Sequence, residues 1–260
     1  MTEPAPGRPR TEPASADPAA FYGRRGSRAA DWWTVLHPPY TAWHLSYVVI
    51  GAALAPELDG WMLLLSVAAF FLALGIAAHA LDELHGRPLG TAIPDRTLWL
   101  AAGASLLGAV ALGVVGTVYA APWLGPAIPV GVVLVLGYNL ELFGGRLHTD
   151  LGFALAWGGF PVAAGLLAQH PPPTPDVVAS GILACVAAVL LSTAQRRLST
   201  PARGLRRSTA EVRGSVRLRT GEVRPLDAGS LLAPLEGALR ALSCAVPTFA
   251  LALLCTHLPG

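Results

Sequence analysis

Apolar residues run almost without interruption through seven stretches of this chain, at about 39–56, 61–84, 97–116, 119–142, 151–169, 176–196 and 230–257. Each is close to the roughly 20 residues a helix needs to cross the hydrocarbon of a bilayer. The pattern predicts an all-α, polytopic helical bundle of about seven spans. The fourth stretch carries Pro122, Gly125, Pro126 and Pro129 near its start, which predicts a helix that begins broken or late. The seventh is long enough to tilt, or to begin with an interfacial half.

Two polar stretches frame this bundle. Residues 1–30 are rich in Pro and Ala and lack an apolar core of signal-peptide type, so a disordered cytoplasmic tail is expected there. The transmembrane domain then occupies 31–260, entered through Asp31–His37 (DWWTVLH), whose paired Trp favour the headgroup level. A cytoplasmic insertion is expected at 201–228, too polar for the membrane. Within it Ser215–Leu226 alternates around Thr220-Gly221-Glu222, the pattern of a small β-hairpin. A flexible basic loop touching anionic lipid headgroups fits the same composition.

Composition agrees with the pattern. Hydrophobic residues make up 53% of the chain and charged residues 13%, with a mean hydropathy of +0.52. A soluble chain carries about 25% charged residues. Every basic residue is Arg, and the three cysteines, Cys185, Cys244 and Cys255, sit singly in apolar runs with no disulfide or zinc spacing. Nothing points to a nucleic-acid partner. Charge placement says more than the net +2. Arg8, Arg10, Arg24, Arg25 and Arg28 precede the first run, Arg87 and Arg96 follow the second, and Arg146 follows the fourth. Arg196 to Arg224 fills the gap after the sixth run, while the alternate connections have no Arg. Under the positive-inside rule the N-terminus is cytoplasmic, the expected location being the plasma membrane of a bacterium.

The candidate chemistry gathers at Ala77–Pro94, AAHALDELHGRPLGTAIP. On a helix His79, Asp82, Glu83 and Gly86 fall on one face, at spacings of three, four and seven. Ionisable groups at the end of a membrane helix commonly face the bundle or a wet cavity; the plainer reading is a helix terminus whose charges meet water.

The order of features resembles the UbiA superfamily of intramembrane prenyltransferases. In that family an Asn-Asp-x-x-Asp-x-x-x-Asp motif ends the second helix and an Arg-Pro-Ile-Pro-like segment opens the third. Ala78-His79-x-x-Asp82-x-x-x-Gly86 falls on the first, and Thr91-Ala92-Ile93-Pro94 on the second. Gly137–Leu142 with Arg146 is similar to the family's Tyr-x-x-x-Lys segment, and Phe153–Leu166 to its Gly-rich fifth helix. The resemblance covers roughly residues 32–200. It implies a UbiA-like bundle acting on an allylic prenyl diphosphate, with transfer of the prenyl group to a small lipophilic acceptor or cyclisation of the chain. Asp82, His79 and Tyr138 are the implied catalytic residues, with Trp157 and Phe160 as further aromatic faces for a cation.

The departures matter too. His79 and Gly86 stand where the first motif has aspartates. Ser192–Arg207, STAQRRLSTPARGLRR, has no carboxylate where the second aspartate motif is expected, and the chain has about seven spans against the family's nine or so. A diphosphate would then be met by one Mg²⁺ on Asp82 and Glu83, with Arg196, Arg197, Gln195, Arg146 and Arg87 binding its oxygens. The competing expectation is a catalytically degenerate UbiA-like protein that binds a lipid or a partner without turnover. No CDP-alcohol phosphotransferase motif (Asp-Gly-x-x-Ala-Arg) or rhomboid Gly-x-Ser-Gly is present. The third, fifth and sixth runs are nearly bare of the mid-membrane polar residues a transporter uses.

Overall fold

The computed structural model describes residues 20–119, 121–169 and 174–258. Among them eight helices and one hairpin follow in order. They are α1 (Arg28–Val35), α2 (Pro38–Ala53), α3 (Gly60–Leu84), α4 (Asp95–Tyr119), α5 (Ala127–Asn139), α6 (Asp150–Leu167), α7 (Pro175–Arg207), β1 (Gly214–Arg217), β2 (Val223–Leu226) and α8 (Ala228–Cys255).

Local chemistry sets most of these boundaries. The carboxylate of Asp59 accepts from the amides of Trp61 and Met62 to start α3. Thr149 does the same for Gly152 at α6, and Asp227 and Ser230 cap α8 reciprocally. Pro38 and Pro39 open α2, where missing N–H groups cost nothing, behind a left-handed His37. A 3₁₀ turn, Pro122–Leu124, precedes α5, so the Pro-rich fourth run does start broken.

Six helices are long and apolar enough to cross a membrane: α3, α4, the stretch Pro122–Asn139, α6, α7 and α8. The first predicted span differs. Helix α2 has 16 residues, roughly 24 Å at 1.5 Å per residue, and lies inside the bundle rather than on its rim. Large apolar side chains such as Leu107, Val118 and Leu183, each more than 70% exposed, coat the outside of the long helices. That surface suits lipid and not water, so the chain is an integral membrane protein.

The packing is uneven. Around α2, Trp43, Tyr47 and Ile50 meet Val162 of α6, Ala188 of α7 and Val246 of α8. Here backbones touch: a Cβ added to Gly51 would lie 2.0 Å from the Val162 carbonyl, and one on Gly165 would lie 2.2 Å from that of Val48. Gly158 similarly meets the Ala188 carbonyl of α7, at 2.7 Å. Such glycine contacts are how helices associate closely in lipid. The other half, between α3, α4, α5 and one side of α6, leaves an apolar cleft.

Of the thirty residues expected as a tail, 1–19 lie outside the described residues. Residues 20–27 are laid against the bundle, where Arg24 exchanges backbone hydrogen bonds with the Thr34 hydroxyl at 2.8 and 2.9 Å. The predicted hairpin forms, antiparallel with Val216 opposite Arg224, and turns at Gly221 with φ +90°. Its residues are almost all exposed.

Candidate functional site at the arginine-bearing end of the bundle

Because the long helices alternate in direction, the start of α2 shares one end of the bundle with the end of α3 and the start of α4. The end of α5, the start of α6, the end of α7 and the start of α8 lie there too. Every arginine among the described residues belongs to this end or to the segments that project from it. The opposite connections and adjoining helix ends carry Glu57, Asp59, Asp176 and His257 as their described acidic and imidazole side chains, and no described arginine.

Adjacent carboxylates in Ala77–Pro94 have different tasks. Glu83 is completely buried and accepts from the amides of Leu89 and Thr91, both at 2.9 Å, and from the Thr91 hydroxyl at 2.8 Å. It pins the loop between α3 and α4, whose Gly86, Arg87 and Gly90 all have positive φ. Asp82, one residue earlier and so about 100° around the helix, is half-buried and makes no ion pair or side-chain hydrogen bond among the described residues. The expected Asp82–Glu83 cation pair is therefore replaced by a single available carboxylate. A hard divalent ion takes oxygen ligands, and here the oxygens come from one free carboxylate, with the imidazole of His79 beside it.

Arg87 also serves the loop. It donates to the Ile93 carbonyl at 2.6 Å and pairs with Asp95 at the start of α4, so it is not an arm reaching for a ligand. The loop is tied to α1 as well, through the Ala92 amide and Asp31 at 3.1 Å.

Beside Asp82 stands a pair of histidines. His79 Nδ1 donates to the Gly75 carbonyl at 3.1 Å, and its ring packs on His37 with centroids 4.5 Å apart. His37 Nδ1 shares a hydrogen bond with the Tyr22 hydroxyl, while its Nε2 is buried without a partner. Burial pushes His37 well below the usual imidazole range, and the neighbouring His79 adds to this. Burial likewise raises Tyr22 well above the usual phenol range. The sequence reading omitted both residues. The available signal was a titratable side chain directly ahead of the Pro-Pro start of α2.

Across this end, Tyr138 from α5 stacks on His148 at 4.5 Å and meets Trp157 edge-on at 5.8 Å. Its hydroxyl is buried without a partner and lies within the fields of Arg196, Asp82 and Arg203. From α7, Gln195 turns inward beside Ser192 and Ser199, and its Oε1 too is buried and unpaired. Arg196 Nε donates to Asp150 at 3.0 Å, and the guanidinium sits 5.2 Å from the Phe153 ring centroid. Arg203, one turn from Ser199, is half-buried with only the Thr200 hydroxyl at 3.4 Å as a side-chain partner among the described residues. Arg197 and Arg146 are exposed and point away. His79, Asp82, Tyr138, Gln195 and Arg196 thus share one end and its electrostatics. Glu83 and Arg87 hold a loop.

Two π-helical segments flank this cluster, Phe71–Ala78 just before His79 and Leu155–Gly159 around Trp157. Such segments break the regular backbone ladder and recur at functional sites. The second is pinned by His44, whose Nδ1 donates to the Trp157 carbonyl at 2.7 Å. The lone histidine of the first apolar run is therefore a buried donor with a structural partner. Trp157, Leu74 and Val135 pack with Tyr138 and also form the head of the apolar cleft. The cleft descends between α3, α4 and α5 to Met62 and Leu124. The chain matches no family model, no curated protein and no solved structure.

Proposed function

We propose that the protein is a UbiA-like membrane prenyltransferase acting on an allylic prenyl diphosphate, with the arginine-bearing end facing the cytoplasm. The observation that carries this reading is a two-part arrangement. An apolar cleft is lined at one end by Trp157, Leu74 and Val135, which pack in one buried cluster with Tyr138. The polar groups at that end of the bundle include an unpaired carboxylate, two unsatisfied buried oxygens and guanidinium groups. This is the complement of one molecule with a hydrocarbon chain and an anionic head.

In this reading Arg196 and Arg203 meet the diphosphate oxygens, since guanidinium forks match phosphate geometry. The Gln195 and Tyr138 side chains complete the contacts. The allylic C–O bond breaks, the diphosphate leaves with the bonding pair, and the faces of Tyr138 and Trp157 steady the cation. A lipophilic acceptor, or a double bond of the same chain, captures it. The proton released passes to Asp82, with His79 beside it. With one free carboxylate at this end, most of the neutralisation falls to the arginines.

The test is pyrophosphate release from farnesyl or geranylgeranyl diphosphate by protein in nanodiscs, with and without EDTA. Release that survives EDTA, falls at least tenfold in Asp82→Asn and in Arg196→Ala, and is unchanged in Arg197→Ala is the expected result. Absence of release in wild type, with diphosphate binding retained, favours the second reading, a binding protein without turnover. The engagement of Glu83 in the loop, which leaves one carboxylate, is the observation on that side.

A further inference from the structure

The cleft has a floor, and from it we infer that the protein selects a short isoprenoid chain, with Met62 and Gly116 setting the limit. This inference rests on the proposed reading of the head site. The head of the cleft is Trp157, Leu74 and Val135; its foot is Met62, Gly116 and Leu124. At 1.5 Å per residue the wall of α3 from Leu74 to Met62 is roughly 18 Å tall, and that of α4 from Leu106 to Gly116 roughly 15 Å. Both are about half of the ~30 Å hydrocarbon thickness. At the foot, Met62 and Leu124 belong to a buried cluster with Leu65, Ala121 and Ala168, against which the Trp123 side chain packs. Its indole donates to the Leu167 carbonyl at 2.7 Å, which fixes that side chain in place.

The bore of the cleft depends on side chains that are absent. A Cβ on Gly116 would meet the Met62 methyl at 3.1 Å, and one on Gly113 would meet Ile128 at 3.1 Å. A Cβ on Gly131 would stand 3.4 Å from the Phe160 ring. Lengthening any of these side chains fills the path, while shortening Met62 extends it. The lining is hydrocarbon apart from Ser66, so the cleft reads length and bulk and offers almost nothing to hydrogen-bond. A chain of three or four isoprene units fits a space of single-leaflet depth, and a long polyprenyl chain does not.

The experiment measures binding of geranyl, farnesyl, geranylgeranyl and undecaprenyl diphosphates to the full chain in nanodiscs, by quenching of tryptophan fluorescence and by native mass spectrometry. The matching free alcohols are measured in parallel. Wild type is expected to prefer farnesyl or geranylgeranyl over undecaprenyl by at least tenfold. Gly116→Leu moves the optimum to geranyl, and Met62→Ala moves it to longer chains. Gly131→Leu, in mid-cleft, weakens all but the shortest and covers the case in which a floor variant does not fold. Equal binding of all lengths, or an optimum unmoved by the variants, overturns the inference. If no diphosphate binds while the alcohols keep the length order, the headgroup reading fails and the length limit stands. If neither series binds, both fail.

Discussion

The two halves of this bundle are packed by different rules. Around α2, α6, α7 and α8 the backbones touch at Gly51, Gly158 and Gly165, and the residues between them are buried. Between α3, α4 and α5 the glycines Gly113, Gly116 and Gly131 border a cleft. The same residue type thus closes one interface and opens another. In the first half glycine removes distance between helices; in the second it removes bulk from a space. The tight half carries α7 and its inward Gln195, and the loose half receives whatever fills the cleft.

The largest expected effect comes from setting these glycines against one another. Gly165→Leu forces a side chain into the Val48 carbonyl, and no rotamer relieves a 2.2 Å approach of backbone. It is expected to cost more than about 3 kcal/mol, the scale of severe overpacking, and to abolish a monodisperse peak in detergent. Gly131→Ala, in the loose half, is expected to change stability by less than about 1 kcal/mol. Equal thermal stability of the two variants would erase the comparison.

Next comes Glu236, the buried carboxylate of the tight half. It is held by Arg206 at 2.5 and 3.0 Å and approached by Arg240 at 3.5 Å. Removing one partner of a buried pair costs roughly 3–5 kcal/mol, so Glu236→Ala should lower the melting temperature far more than Glu222→Ala on the exposed hairpin. Glu83→Gln follows, at about 1–3 kcal/mol for losing one charged acceptor. Its signature is faster amide exchange at Leu89 and Thr91, which a purely global effect would not localise. Asp82→Asn should leave those amides protected.

A smaller effect is expected from pH. His37 binds its proton less readily in the folded protein than at its ordinary value near 6.5, so the unfolded chain holds more protons below that pH. Stability is complete above pH 6.5 and falls as the pH drops below it, by at most ~1.4 kcal/mol per unit. The fall ends once the folded-state value is passed. His37→Gln should flatten that slope in melts between pH 6.5 and 5; an unchanged slope would mean another group is responsible.

The architecture was legible where physics is local. Six of seven apolar runs became helices of spanning length, the broken start of α5 followed from its prolines, and the hairpin followed from its alternation. The short first helix was less so, since an apolar run says little about whether lipid or protein surrounds it. At the site, adjacency in sequence misled. Asp82 and Glu83 read as a pair, yet one helical step sends Glu83 into the loop and leaves Asp82 facing the cluster. Arg196 and Arg197 divide in the same way, one inward and one outward. His37 and Tyr22 escaped notice because their importance lies in long-range contacts with His79 and with each other. Neither contact leaves a periodic trace.

One dimension of α7 has a mechanical consequence. Its 33 residues give roughly 50 Å of helix, against ~30 Å of hydrocarbon. The excess forms a mast that the Arg206–Glu236 clamp lashes to α8, with the hairpin at its tip. Pro201 lies within that mast, between the clamp and the inward pair Gln195 and Arg196, where it removes one backbone bond. The projecting arm is therefore least stiff at Pro201 and is held on its outer side by the clamp to α8.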